Sequence, residues 1–212
     1  HVVNWISTNL EPGNVFVDVG SHIGYYLGPG CRHIGVDGRA FFIEPSKEHF
    51  SFLLKNIKDN QFSMAIPLNL ALSDHSGEIQ FFPAKDSGRN SLKKNSVTNE
   101  PTYAIQALTL DDFMQSQSLD HIDLLQLDVE GAEALILKGS KHTLEKNRIE
   151  TILCEWHPKQ IREDFKHDPM AIIHLILQLG YTIFRLDTSG RISKFLPEHV
   201  DQYLHLILRK GS

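Results

Sequence analysis

The chain has 212 residues, 41% of them hydrophobic and 22% charged, with a formal net charge of −5. That length and mix suit one globular domain with a sizeable core. The negative balance argues against a nucleic-acid binder held by phosphate contacts, and no apolar run reaches the roughly 20 residues that span a bilayer.

The two cysteines, Cys31 and Cys154, set no disulfide framework, and no signal peptide is visible. A reducing, cytoplasmic setting is expected from this, with Cys154 as a buried thiol. The chain opens on His1 rather than Met and closes on Gly211-Ser212. The expectation is therefore a single domain over 1–212, cut from a longer protein, with a cloning remnant at its end.

In chain order, Val2 to Leu10 predicts a short helix ended by Glu11-Pro12-Gly13. Asn14 to Val19 reads as the first strand, and the helix after it is expected to fail beyond Leu27, because Gly28-Pro29-Gly30 breaks helices. Arg39 to Ile43 is a second strand. Ser46 then caps a helix whose apolar stripe is Phe50, Leu53, Leu54 and Ile57. Met64 to Leu72 reads as a third strand. Gly77 to Phe82 and Tyr103 to Leu108 are extra strands around a polar loop, Pro83 to Thr102, read as a lid carrying acceptor contacts.

Thr109 to Gln115 predicts a short helix and Ile122 to Leu127 a buried parallel strand. Ala132 to Leu144 fits a helix weakened at Gly139, and Ile149 to Cys154 a fifth strand ending at Glu155. Asp168-Pro169 opens a helix through Ile172, Ile173, Ile176 and Leu177 that stops at Gly180. Tyr181 to Leu186 and Tyr203 to Leu208 supply two last strands. The alternation predicts a doubly wound α/β fold of about seven core strands, with strands and a loop inserted between the third and fourth.

Such sheets bind ligands at the carboxyl ends of their strands. Four predicted ends carry polar groups: Asp18-Val19-Gly20, Glu44-Pro45, Asp128-Val129-Glu130-Gly131 and Glu155-Trp156-His157. Gly20 and Gly24 allow a sharp turn and close backbone approach by a ligand. The second glycine of a dinucleotide fingerprint is missing at Gly20-Ser21-His22, which lowers a nicotinamide or flavin reading. A carboxylate at Glu44 can accept hydrogen bonds from both hydroxyls of a ribose.

The run from Val15 to Tyr26 resembles the first motif of class I methyltransferases. More narrowly, the chain is similar to the FkbM-type methyltransferases through that motif, Phe42-Ile-Glu-Pro-Ser46, Leu70-Ala-Leu-Ser-Asp74, Leu108-Thr-Leu-Asp-Asp112, Leu127-Asp-Val-Glu-Gly-Ala-Glu133 and Leu153-Cys-Glu-Trp-His-Pro158. The resemblance implies a Rossmann-like seven-stranded sheet with an antiparallel last strand. It implies S-adenosyl-L-methionine as cofactor and O-methylation of a hydroxyl on a sugar, glycolipid or secondary metabolite. It also implies roles. Asp18, Gly20, Ser21, His22 and Gly24 would hold the methionine part, and Glu44 with Pro45 the ribose. Ala71 and Leu72 would lie near the adenine, and Asp128 and Glu130 would face the methyl group and the acceptor. His22 stands where the family usually has Asn, Gln126 where Lys is common, and Gly28-Pro29-Gly30 where the first long helix continues.

Asp128, Glu130, Glu155 and His157 are the candidates for catalysis, with His157 attractive as a base because its ordinary pKa lies near neutrality. Glu133 reads as a charge favoured at a helix N-terminus. Three acids and a His form an oxygen-rich set of the kind hard cations favour. No tight ligand spacing accompanies them, and no metal is assigned. The expected partner is a small-molecule or glycan acceptor. A nucleotide-cofactor oxidoreductase and a non-catalytic cofactor binder remain the alternatives at this stage.

Overall fold

The computed structural model describes residues 1–83, 92 and 101–211. The predicted loop lies outside the described residues, apart from Pro83, Leu92, Pro101 and Thr102.

Helix α1 (Val2–Thr8) leads into β1 (Val15–Val19), α2 (Leu27–Ile34), β2 (Arg39–Ile43), α3 (Lys47–Asn60) and β3 (Ala65–Leu68). A second group follows: β4 (Ala71–Leu72), β5 (Gly77–Phe81), β6 (Tyr103–Leu108) and α4 (Leu110–Ser116). The chain returns to the core with β7 (Ile122–Leu127), α5 (Glu133–Lys138), α6 (Lys141–Glu145), β8 (Ile149–Trp156) and α7 (Pro158–Glu163). It closes with α8 (Pro169–Gln178), β9 (Tyr181–Leu186), β10 (Ile192–Lys194) and β11 (Leu204–Lys210).

The main sheet runs β10-β9-β11-β8-β7-β1-β2-β3, with β11 antiparallel to both neighbours. The short edge strand β10 goes beyond the seven strands expected. Strands β4, β6 and β5 form a separate small sheet between β3 and β7 in the chain.

Strand alternation divides the core into two layers. Phe16, Phe42, Leu124, Leu153 and Ile207 pack on one face under α1, α2 and α3, burying Trp5, Ile6, Leu27, Cys31 and Leu53. Val17, Phe41, Leu125, Ile152 and Leu206 pack on the other against residues of α4, α5, α7 and α8.

Four expectations change. Helix α2 starts at Leu27 instead of ending there, so Gly28-Pro29-Gly30 fills its first turn. First-turn N–H groups have no intrahelical partner, so Pro29 removes nothing there. Gly30 is needed for packing, because a Cβ on it would meet the Phe16 ring at 2.6 Å. The stretch Met64 to Leu72 divides between β3 and β4, two different sheets. Pro67 is tolerated because β3 is the sheet edge, where its missing N–H has no strand to bond. The helix predicted over Ala132 to Leu144 breaks at Gly139, whose Cβ would meet the Ser73 carbonyl oxygen at 2.2 Å. Lastly, Leu54 and Leu177 face solvent at 44% and 48% exposure, because each helix buries a narrower stripe than its pattern suggests.

Both cysteines are buried free thiols. Among the described residues no helix is long and apolar enough to cross a membrane.

Candidate active site

Register assembles the site. Val19 pairs with Ile43 on one side and Leu127 on the other. Gly20, Glu44 and Asp128 therefore leave the sheet side by side. The chain runs from β1 outward through β2 and β3, then returns to start β7 on the opposite side of β1. This reversal is the switch point at which open α/β sheets form a crevice.

A cleft of about 300 Å³ opens there. Its lining includes Gly20, Ser21, His22, Glu44, Pro45, Ala71, Leu72, Asp128 and Glu130 from the sequence reading. Asp18, Gly24, Glu155 and His157 are not on that lining. Asp18 is buried beneath it, Gly24 supports the turn, and Glu155 and His157 sit beside its outer end.

The Gly20 turn is forced by proximity. Gly20 has φ 86°, and a Cβ on it would lie 1.8 Å from the Asp128 carbonyl oxygen. No other residue lets β1 and β7 converge this closely. His22 (φ 51°) and Glu130 (φ 52°) also adopt the left-handed region. Side chains there cost about 1–2 kcal/mol per residue, and both residues border the cleft.

Glu44 is anchored twice. One carboxylate oxygen accepts from the His22 N–H at 2.8 Å, the other from the Ser46 N–H at 2.7 Å. A carboxylate has about four acceptor positions, so capacity remains for a ligand. Burial pushes Glu44 up to about 7, against the two backbone bonds. Asp18 is fully buried, and neither of its carboxylate oxygens has a hydrogen-bond partner among the described residues. It sits in register with Gln126, whose amide atoms are also unpartnered. Burial raises Asp18 to about 7, with the neighbouring Ser21 hydroxyl opposing and the Glu44 charge adding.

A second cluster adjoins the cleft's outer end. His157 Nδ1 lies 2.8 Å from a Glu133 carboxylate oxygen. Its Nε2 lies 3.8 Å from Glu130 and 3.8 Å from Glu155. Burial works to lower His157, but bonding to Glu133 and the nearby acids raises it to about 9. At neutral pH the ring is therefore an imidazolium, which weakens the expectation of a ready base. Burial and the Glu155 charge hold Asp128 well above the usual carboxyl range. Burial also works to raise Glu155, but its bonds to His205 and Asp128 and the His157 charge hold it below that range. The two carboxyls are thus driven in opposite directions, Asp128 toward its protonated form and Glu155 toward its ionised form.

Glu133 is the residue whose role the sequence reading missed. It is fully buried, and the oxygen that meets His157 also accepts from the Gly131 N–H at 3.1 Å. It ties the turn after β7 to the end of β8. Its spacing in the Glu130-Gly-Ala-Glu133 string was the available signal, but a partner 24 residues away is invisible in one dimension. Tyr25, Tyr26, His49 and Phe81 also line the cleft without having been singled out. The Ser46 cap could have flagged His49, since it is the His49 N–H that Ser46 Oγ receives.

The sequence profile of the Methyltransferase FkbM domain matches residues 18–204. The hexuronic acid methyltransferase AglP of Haloferax volcanii is 28% identical over 156 residues, 74% of this chain and 61% of that protein. The 2-O-methyltransferase NoeI of Sinorhizobium fredii is 29% identical over 109 residues, 44% of each chain. The chain thus spans 61% and 44% of the lengths of these two relatives. Among solved structures, a methyltransferase FkbM from Methylobacillus flagellatus KT superposes with a TM-score of 0.57 at 17% identity, over 98% of this chain and 50% of that one.

Proposed function

This chain belongs to the FkbM methyltransferase domain family, and from that premise we propose that it transfers a methyl group from S-adenosylmethionine to a hydroxyl of a sugar. The observation that carries the reading is the convergence of Gly20, Glu44 and Asp128 on one cleft, with an acid–histidine cluster at its outer end.

The residues present fit the cofactor. The crowding that demands glycine at position 20 brings bare backbone to the cleft wall, as close approach by the amino-acid end of a ligand requires. Glu44 is held rigidly by two backbone N–H groups and would accept from the ribose hydroxyls. Ala71, Leu72 and Phe81 offer an apolar wall for the adenine. When bound, the cofactor supplies a methyl group already activated as a sulfonium.

What remains for this chain's residues is alignment and proton removal. Holding reactants in line is worth about 7–11 kcal/mol in favourable cases. The Asp128–Glu155 pair would take the hydroxyl proton, Glu155 being the member held toward its ionised form. The His157 imidazolium, fixed by Glu133, would balance the negative charge of these acids. Both curated relatives carry names of methyltransferases, one acting on a hexuronic acid and one at a 2-O position, which supports a sugar hydroxyl as acceptor.

Calorimetry with S-adenosylhomocysteine, followed by transfer of labelled methyl to a glycan panel, tests this. Wild type should bind in the micromolar range. Glu44→Ala should bind at least tenfold more weakly, and Glu44→Gln, which keeps the shape, should fall between. Equal affinity for all three would remove Glu44 from the ribose site, and binding of NAD in preference would overturn the reading entirely.

A further inference from the structure

An exposed aromatic ring stands next to the acid–histidine cluster. Tyr203, just before β11, is 60% exposed. Its ring centroid lies 5.3 Å from that of His157 and 6.2 Å from that of His205. Between these histidines sits Glu155, with one oxygen 3.8 Å from His157 Nε2 and the other 3.6 Å from His205 Nε2. His157 in turn reaches Glu130, which lines the cleft. An exposed aromatic ring is therefore linked, through groups at ion-pair distance, to Glu130 on the cleft wall.

We propose that Tyr203 and Glu155 form an acceptor seat for a neutral pyranose ring, stacked on Tyr203 with its hydroxyls turned toward Glu155 and the cleft. This rests on the methyltransferase reading of the same cleft.

The chemistry selects that ligand class. A pyranose has an apolar face of C–H groups and a rim of hydroxyl donors. The first matches the amphipathic face of a tyrosine. The second matches carboxylates, which are pure acceptors when ionised and bond most strongly to donors when charged. A purely apolar acceptor would leave these acids unpaired. A ring turning a carboxylate or phosphate toward the seat would meet the carboxyls of Glu130 and Glu155, with the His157 ring already held by both and by Glu133. An acidic sugar is therefore admitted only with its charged group directed outward.

Tyr203 also covers His157, which is itself buried, so one ring shields the cation and receives the acceptor. Stacking needs the ring and not the hydroxyl, which separates two variants. Tyr203→Phe keeps the seat, and Tyr203→Ala removes it.

The test uses the full chain saturated with S-adenosylhomocysteine. Methyl glucoside, methyl galactoside, methyl mannoside and methyl glucuronide are the probes, followed by saturation-transfer NMR and calorimetry. At least one neutral glycoside should bind and show contact through its C–H face. Tyr203→Ala should weaken it about tenfold and Tyr203→Phe by less than twofold, with affinity for S-adenosylhomocysteine unchanged in both. Binding unaffected by Tyr203→Ala, no glycoside binding while S-adenosylhomocysteine binds normally, or tighter binding of the glucuronide would each overturn the seat. Failure of wild type to bind S-adenosylhomocysteine would instead strike the parent reading, and the seat with it.

Discussion

Asp18→Asn should make the ligand-free protein more stable above neutral pH. The carboxyl is fully buried, sits in register with Gln126, and has no hydrogen-bond partner among the described residues. Burial moves it from 3.8 to about 7. The folded chain therefore keeps a proton that the unfolded chain releases near pH 4. A carboxyl raised in this way costs stability as pH climbs from about 4 to about 7, and the loss persists at higher pH. Roughly three units at 1.36 kcal/mol each make about 4 kcal/mol, an upper figure for one group. Asparagine is nearly isosteric and neutral throughout. Urea unfolding followed by circular dichroism at pH 4.5, 6, 7 and 8 would show wild type and variant diverging across that window. For a chain of this length the gap at pH 8 corresponds to roughly 10 °C in Tm. Glu44 shifts over the same range, but it is present in both proteins and largely cancels in the difference. Curves that stay parallel from pH 4.5 to 8 would refute the claim that Asp18 is an unsatisfied buried acid.

Glu133→Gln should drop the His157 titration from about 9 to below neutrality, since burial then acts with less opposition. An NMR titration of the ring reads this directly, and an unmoved value would break the Glu133–His157 pairing. The raised imidazole stabilises wild type fully below pH 6.5, and that contribution fades as pH rises through about 9. The variant should lack this alkaline loss. Gly30→Ala should destabilise by about 1–3 kcal/mol through overpacking against Phe16, outweighing the roughly 1 kcal/mol that alanine gains in a helix. A more stable variant in urea would contradict the contact. Affinity for S-adenosylhomocysteine should fall below pH 7 as Glu44 gains a proton and loses acceptor capacity, while Glu44→Gln should flatten that profile in calorimetry.

Much of the fold was written in local patterns. The boundaries of β2 and β7 match the sequence reading residue for residue, because an apolar run of five or six residues between turns is long enough for a strand and too short for a helix. The Ser46, Thr109 and Asp168 caps follow from side-chain chemistry within three residues of each helix start. Where local rules failed, contacts distant in sequence decided the outcome. Gly139 ends a helix where the Ser73 backbone passes against it, and Gly30 sits in the first turn of α2 because Phe16 leaves room for nothing larger.

The site divides the same way. The sequence by itself determined which groups end the strands: Gly20, Glu44 and Asp128 follow from the period of the apolar runs. Only the tertiary structure decided which of them touch and what charge they carry. Register sets three strand ends level, burial raises Asp18 and Glu44, and Glu133 with its neighbouring acids raises His157 toward its cationic form. The physical reason is that hydrogen bonds and desolvation depend on through-space distance and on the water displaced, and neither quantity is encoded at a single position along the chain.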